Sequence, residues 1–294
     1  MISLYDLLRA ATGQLFGEPG AQIFADFCLD PHQAGESLMY VTRHTEQGDT
    51  HHYIEEAIRN GVSGVLCTRP PDCDTDGVTV IMVPDTVDAL LQWAHFTLGK
   101  LGVKTIGIAG SSSKSVTVAA VSAVLEMRHR VHVSNEDVPG RLSLALSLST
   151  LSPEHEFAVF KLDTTHPGEM AQMVQTIQPE IAVITGIDCV HPASFDSCEQ
   201  YIAELTVLAE YLSPGALLAL NYDDDNALNL ATKAHEQVQT RTAGIDRFGS
   251  DVLAFNINHG LGRTGFDIRY GNERYLGRWT PIAGKDHLYG MLLA

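Results

Sequence analysis

Along this chain, short continuous apolar runs alternate with stretches of helical periodicity, and glycine, proline or aspartate marks most of the joins. Apolar runs rich in β-branched residues predict strands over residues 38–41, 62–67, 78–83, 104–109, 157–162, 181–185 and 216–221. Helical spacing predicts helices over residues 53–61, 87–94, 115–128, 168–176 and 198–212, with Gly61 stopping the first and Asp85 capping the second. Strands that are apolar throughout and alternate with helices predict mainly parallel sheets covered on both faces, an α/β class. Beyond Phe248 the pattern changes, and residues 252–258, 266–270 and 275–280 predict antiparallel strands or hairpins. The Gly99-Lys100-Leu101-Gly102 join divides the chain into a small N-terminal α/β domain, residues 1–99, and a larger P-loop-type domain, residues 100–294.

The join after the 104–109 run carries the candidate chemistry. In Gly107-Ile108-Ala109-Gly110-Ser111-Ser112-Ser113-Lys114-Ser115-Val116, an apolar run ends in small residues, then a lysine, a hydroxyl and a helix. Backbone N–H groups at such a turn face an anion, Lys114 adds a point charge, and Ser115 can hold Mg²⁺. Ser113 stands where such loops have a second glycine, which would accept positive φ without strain. An ordinary strand-to-helix turn with a surface lysine is the plainer account of the same residues.

Length and composition narrow the classes. The 294 residues suit two domains, and 45% hydrophobic content suffices for substantial cores. A formal charge of −17 without a basic stripe argues against nucleic acid and anionic membranes as partners. No apolar run reaches the roughly 20 residues of a membrane span. The N-terminus lacks a basic segment followed by a long apolar one, so no signal peptide is expected. Cys28, Cys67, Cys73, Cys189 and Cys198 form no CxxC pair, which predicts reduced thiols in a cytoplasmic chain and disfavours a zinc site.

Taken in order, several blocks resemble the Mur ligase family, which extends the peptidoglycan stem peptide at the cost of ATP. The likeness is greatest to the branch that adds D-alanyl-D-alanine to a UDP-muramoyl tripeptide. Gly48-Asp49-Thr50-His51-His52-Tyr53-Ile54 resembles the family's Asp-Gly-His-x-Phe-Ile block, and Gly107 to Thr117 its ATP loop. His166-Pro167-Gly168-Glu169-Met170 and the run from Gln178 to Thr185 resemble the branch's strongest signature. His191 through Ser197, Pro214 through Asp224, and Ile282-Ala283-Gly284-Lys285 resemble three further blocks. The resemblance implies ATP and Mg²⁺ as cofactors, a UDP-muramoyl peptide as substrate, and a cell-wall synthesis protein as the kind of partner. Its reaction phosphorylates a substrate carboxylate, and an amine then displaces phosphate. By the same resemblance Lys114 meets the β- and γ-phosphates, Ser115 ligates the first Mg²⁺ and His191 the second.

Other family positions differ here. The metal-binding glutamate of the family's Glu-Met-Gly block falls at Lys161, where a cation repels Mg²⁺. The family's carbamylated lysine falls near Thr206, its Thr-Asn asparagine at Gly186, and its late His-Asn at Asp286-His287. Ala294 falls where the family's central domain ends, so the C-terminal domain is expected to be absent. Two functions stay open: a divergent ligase that still binds ATP and needs a further segment or chain, and a homologue that keeps the fold without catalysis. The combined substitutions favour weak or no autonomous ligase activity. Asp163 and Asp188 are read as turn or cap residues rather than substitute ligands, His51-His52 as a helix start, Glu169 as a first-turn anion, and Asp223-Asp224-Asp225 as a solvated turn.

Overall fold

The computed structural model describes residues 1–45, 48–134, 140–188, 193–281 and 284–294. It divides into two compact units, Met1–Gly102 with Leu142–Pro153, and Val103–Arg141 with Glu154–Ala294. A cut by sequence position at 99/100 does not include the return of residues 142–153 to the first unit.

The first unit runs through β1 (Ile2–Ser3), α1 (Leu4–Ala10), β2 (Gln14–Phe16), β3 (Ile23–Phe24), β4 (Asp26–Cys28) and β5 (Leu38–Val41). It continues with β6 (His44–Thr45), β7 (Gly48–Asp49), α2 (Ile54–Arg59), β8 (Gly64–Cys67), β9 (Thr79–Met82) and α3 (Thr86–Leu101). Its main sheet has the order β2-β9-β8-β5-β4, parallel except for the β2 edge. Tyr40, Ile54, Ala57, Val65 and Val80 form a core between α2 and this sheet. Asp85 caps α3 by accepting the Asp88 N–H, as its position predicted. The helix runs through Gly99 because Leu98 still buries its side chain, and it stops at Gly102, whose φ of 64° closes a bond from its N–H to Leu98 O. The expected 53–61 helix begins as a tight turn over Thr50–Tyr53, where Asp49 accepts the His51 N–H, so the His51-His52 pair does start a helix.

The second unit holds β10 (Lys104–Ala109), α4 (Lys114–Glu126), β11 (Val131–Val133), β12 (Phe157–Lys161), α6 (Glu169–Ile177), β13 (Ile181–Ile184), α7 (Cys198–Glu210) and β14 (Leu217–Asn221). The chain then forms α8 (Asp225–Ala231), β15 (Gln239–Gly244), β16 (Val252–Gly260), β17 (Arg263–Tyr270), β18 (Glu273–Thr280) and α9 (Lys285–Leu292); α5 (Arg141–Ser147) lies where the two units divide. Among the described residues one sheet orders nine strands as β11-β12-β10-β13-β14-β15-β16-β17-β18. Pairing is parallel from β11 to β16, then antiparallel through β18, as the change of pattern after residue 248 predicts. Ile106, Ile108, Val159 and Val183 face Val118 and Val121 of α4, which closes one side of the sheet. Alternation turns Gly107 to the other side, where a Cβ would stand 2.9 Å from Leu162 Cδ1.

The free thiols Cys28 and Cys67 are buried, and burial pushes the Cys67 thiol up to about 11. Cys198, expected to be reduced, is disulfide-bonded. His132 on β11 is 4% exposed, and its Nε2 has no hydrogen-bond partner among the described residues. Burial, and then the neighbouring His155, lowers its pKa from 6.5 to about 4. A base whose folded pKa is depressed binds fewer protons folded than unfolded, so stability is present above pH 6.5 and is lost as pH falls toward 4. We expect up to about 3 kcal/mol of stability to disappear across that window, by the usual 1.36 kcal/mol per unit. Urea melts at pH 7 and pH 4.5 should show that loss for the wild type and a smaller one for His132→Leu.

Candidate functional site

The sheet changes direction of growth at β10, which has β12 on one side and β13 on the other. Such a switch point opens a crevice at the strand C-termini, and here the loop from Gly110 to Ser113 occupies it. Gly110 has a φ of 142°, and a Cβ on it would lie 2.2 Å from Thr185 Oγ1 and 2.8 Å from Gly186 O. Glycine is therefore required by both conformation and space. Ser111 donates its N–H to Gly186 O at 2.8 Å, and its hydroxyl accepts the Asp188 N–H at 2.6 Å. Ser112 O accepts the Thr185 hydroxyl at 2.6 Å. Ser113 takes a left-handed φ of 58° immediately before α4, so the serine adopts the conformation that a glycine would reach without strain. Ser115 and Val116 follow in the first turn of α4, while Gly107 lies back within the strand.

Lys114 turns over the loop. Its Nζ donates to Gly110 O at 2.6 Å and stands 3.2 Å from Asp163 Oδ1. Lys161 approaches the same carboxylate, with Nζ 4.0 Å from Asp163 Oδ2. Val159 of β12 faces α4, while Leu162, just past the strand, lies beneath Gly107; Asp163 follows it. The side chains of Lys114 and Lys161 are 11% and 19% exposed, so both ammonium groups are largely withdrawn from water. Tyr201 of α7 donates to the same Gly110 O at 3.3 Å. Burial and then the charge of Asp163 push its hydroxyl up to about 12, which keeps it a donor.

The segment after β12 is held by two carboxylates. Glu169 Oε2 accepts the N–H groups of Thr165 and His166, and buried Glu204 accepts those of Gly168 and Met170 at 2.8 and 2.6 Å. The first-turn acid at 169 thus closes its own loop. Thr206 turns its hydroxyl back to Ile202 O at 2.7 Å on α7. Asp163 is held between two lysines, and Asp188 is exposed with its N–H on Ser111. Among the described residues no group of three or more His, Cys, Asp or Glu could hold a metal. His191, the expected second-metal ligand, lies outside the described residues, as do Ile282 and Ala283.

A cavity of about 410 Å³ opens beside the loop, reached by Ser112, Thr185, Gly186, Asn221 and Tyr289. That volume is within the range of small-molecule sites. Two acids of its wall, Asp223 and Asp224, are internally satisfied, while Asp188, Asp225, Asp246 and Asp286 are exposed. Asp223 accepts the N–H groups of Ile245, Asp246 and Arg247 and the Tyr289 hydroxyl at 2.6 Å. Burial alone would raise the Asp223 pKa, but these hydrogen bonds together hold it below the usual range. Asp224 caps α8 and accepts the Ile187 N–H. Asp225 alone of the three matches a solvated turn, in an exposed pair with Arg247. No sequence signal placed Asp223 or Tyr289, because their partners lie 22 to 66 residues away.

The loop conformation is testable by substitution. Ser113→Gly should raise stability by about 1 kcal/mol through relief of left-handed strain. Gly110→Ala should lower it by at least about 2 kcal/mol through the clash with Thr185 and Gly186. Urea denaturation of both variants measures the pair, and equal and small effects would contradict the loop geometry.

Comparison with known proteins places this arrangement. Residues 108–294 match the Mur ligase middle domain. The UDP-N-acetylmuramoyl-tripeptide--D-alanyl-D-alanine ligase of Bacillus subtilis is 29% identical over 267 residues, 90% of this chain and 55% of that protein. A crystal structure of MurF from Acinetobacter baumannii matches with a TM-score of 0.87 at 21% identity, over 99% of this chain and 62% of that one. The MurF ligase of Thermotoga maritima in complex with ADP matches with a TM-score of 0.76 at 20% identity, over 91% and 61%. The chain thus spans little more than half the length of the curated Bacillus relative. It belongs to the Mur ligase family, and its relatives and solved neighbours include the D-alanyl-D-alanine-adding ligases and MurF.

Proposed function

We propose that this chain binds ATP through the Gly110–Ser115 loop, within an amide-bond ligase system of peptidoglycan-precursor synthesis, and that its own ligase activity is weak or lost. One observation carries the binding: a lysine at the N-terminus of α4, folded over a glycine-strained loop, beside a cavity of nucleoside size. The ADP complex of the Thermotoga relative supports it through the shared fold. In the family's reaction ATP supplies the phosphoryl group that activates a substrate carboxylate. The residues here would act by position and charge: Lys114 exchanges Asp163 for phosphate oxygens, and the cavity beside Ser112 receives the nucleoside. The N-terminal domain, residues 1–99 by the sequence and Met1–Gly102 with Leu142–Pro153 as a compact unit, would take the UDP-muramoyl peptide. A further segment or a cell-wall synthesis protein would complete the site, in a cytoplasmic setting.

The loss of activity is inferred from the residues beside Lys114. The family's acidic metal ligand is a lysine here, and Asp163, the carboxylate that Lys114 reaches among the described residues, is already held between two ammonium groups. This donor set does not fit a second Mg²⁺, and no catalytic step is derived through one. Thr206 presents a hydroxyl bonded to its own helix, not a group that could carry a carbamate.

ATP at a hundredfold excess over its Kd should stabilise the chain by about 2.7 kcal/mol. Lys114→Ala should remove the shift in the same thermal melt. Phosphate release with UDP-muramoyl tripeptide and D-alanyl-D-alanine should stay below about 1 s⁻¹, the lower end for working enzymes. Faster turnover would reinstate an active ligase, and no shift with any nucleotide would leave a fold-only homologue.

A further inference from the structure

Among the described residues the nine-stranded sheet ends on an open edge. β18 pairs with β17 on one side and closes the strand order, and its first seven residues are exposed. We propose that this edge pairs antiparallel with β18 of a second copy of the chain, so that one sheet runs through both copies. Three observations support it. Of the chain's two tryptophans Trp93 is buried, whereas Trp279 on β18 is 66% exposed, and Leu276 on the same strand is 64% exposed. Large apolar side chains left in water together mark interaction surfaces. Residues 252–280 carry four arginines, two acids and no lysine, in a chain of 19 Lys and Arg against 36 Asp and Glu. Arginine and aromatic rings are the side chains that anchor interfaces. Finally, Arg269 and Arg274 stand directly opposite each other on β17 and β18, and neither has an ion pair among the described residues. Like charges so placed cost stability, and Arg274 finds no relief within its own hairpin.

A second copy supplies what the edge lacks. The register that pairs the whole of Glu273–Thr280 with itself sets Arg274 against the partner's Trp279 and Tyr275 against the partner's Arg278. It also sets Leu276 against the partner's Gly277 and Glu273 against the partner's Thr280, so no like charges meet. Each arginine then faces an aromatic ring, the arrangement that Arg278 already makes over Tyr275 of its own strand, 5.9 Å from the ring centre. Gly277 leaves room for the partner's leucine. Its N–H is taken by Asp267 Oδ1 of β17 at 2.7 Å, so the local bulge draws no hydrogen bond from the outer edge. The outer N–H and C=O groups exchange water for ladder bonds, as in other strand additions.

Sedimentation velocity of the full chain, over about a hundredfold range of concentration reaching the hundreds of micromolar, tests this, since a contact one strand wide lies at the small end of specific interfaces. The wild type should show a reversible monomer–dimer equilibrium. Leu276→Lys sets two ammonium groups beside the two-fold axis and should weaken the dimer at least about tenfold. Arg274→Glu should weaken it at least about fivefold by removing both arginine–tryptophan contacts. The same variant should raise the melting temperature of the monomer, because a glutamate opposite Arg269 replaces repulsion with attraction. A residue with a purely intrachain role would move the melt and leave the dimer unchanged. A wild type that stays monomeric throughout would overturn the inference, as would a dimer that both variants leave intact. A dimer that survives Leu276→Lys but dissolves in about 1 M salt would also overturn it, by seating the arginine-rich hairpin on an acidic surface instead.

Discussion

Parallel strands must carry all their C-terminal ends to one rim, and the loops on that rim must turn within the space left between neighbours. In the second unit that constraint falls hardest on the residue after β10, which is flanked on both sides. Gly110 meets it by giving up a side chain, since Thr185 and Gly186 occupy the place of its Cβ. The consequence is a cramped turn whose carbonyl faces inward, where Lys114 and Tyr201 both donate to it. Those two donors tie α4 and α7 to the same oxygen. The loop geometry is thus a product of the sheet's topology before any residue is chosen for chemistry.

Strands whose apolar runs are continuous were legible in the sequence to the residue, as Lys104–Ala109 and Leu38–Val41 show. Their burial on both faces leaves few polar positions to blur the run; in β10 the exposed residue is Lys104, at its start. β15 was missed for the opposite reason: Gln239–Gly244 is polar at its exposed start and buries only Ala243 and Gly244. The short N-terminal strands are of two or three residues and fall below any periodicity. At the site, the loop and its strained serine could be read from residue types alone. The engagement of Asp163 by Lys114 could not, because it depends on β10 and β12 being neighbours, a pairing across more than 40 residues. Asp223 looked like a solvated turn for a related reason. Consecutive acids are usually hydrated, and only the fold brings the 245–247 backbone N–H groups against one of them.

An acidic chain of net charge −17 is a poor host for an anion unless its carboxylates are turned elsewhere. Around this crevice some are, although Asp188, Asp225, Asp246 and Asp286 line the cavity and stay exposed. Glu169 and Glu204 accept backbone N–H groups of the segment after β12, and Asp224 does so at α8. Each such bond spreads the carboxylate's charge into peptide dipoles and keeps it from projecting toward Lys114. Asp163 differs, because its partners are the cations themselves.

The substitutions at 161 and 163 therefore make physical sense only as a pair. Lysine at 161 alone would set two half-dry ammonium groups side by side, a repulsion that a low-dielectric rim amplifies. Aspartate at 163 alone would neutralise Lys114 and leave the loop without net charge. Together they set one carboxylate against both ammonium groups, at 3.2 and 4.0 Å. A cation on a covalent stem cannot leave with the product or polarise two ligands at once as a free metal does. On the proposed reading of the loop, it would still meet a phosphate chain as a point charge.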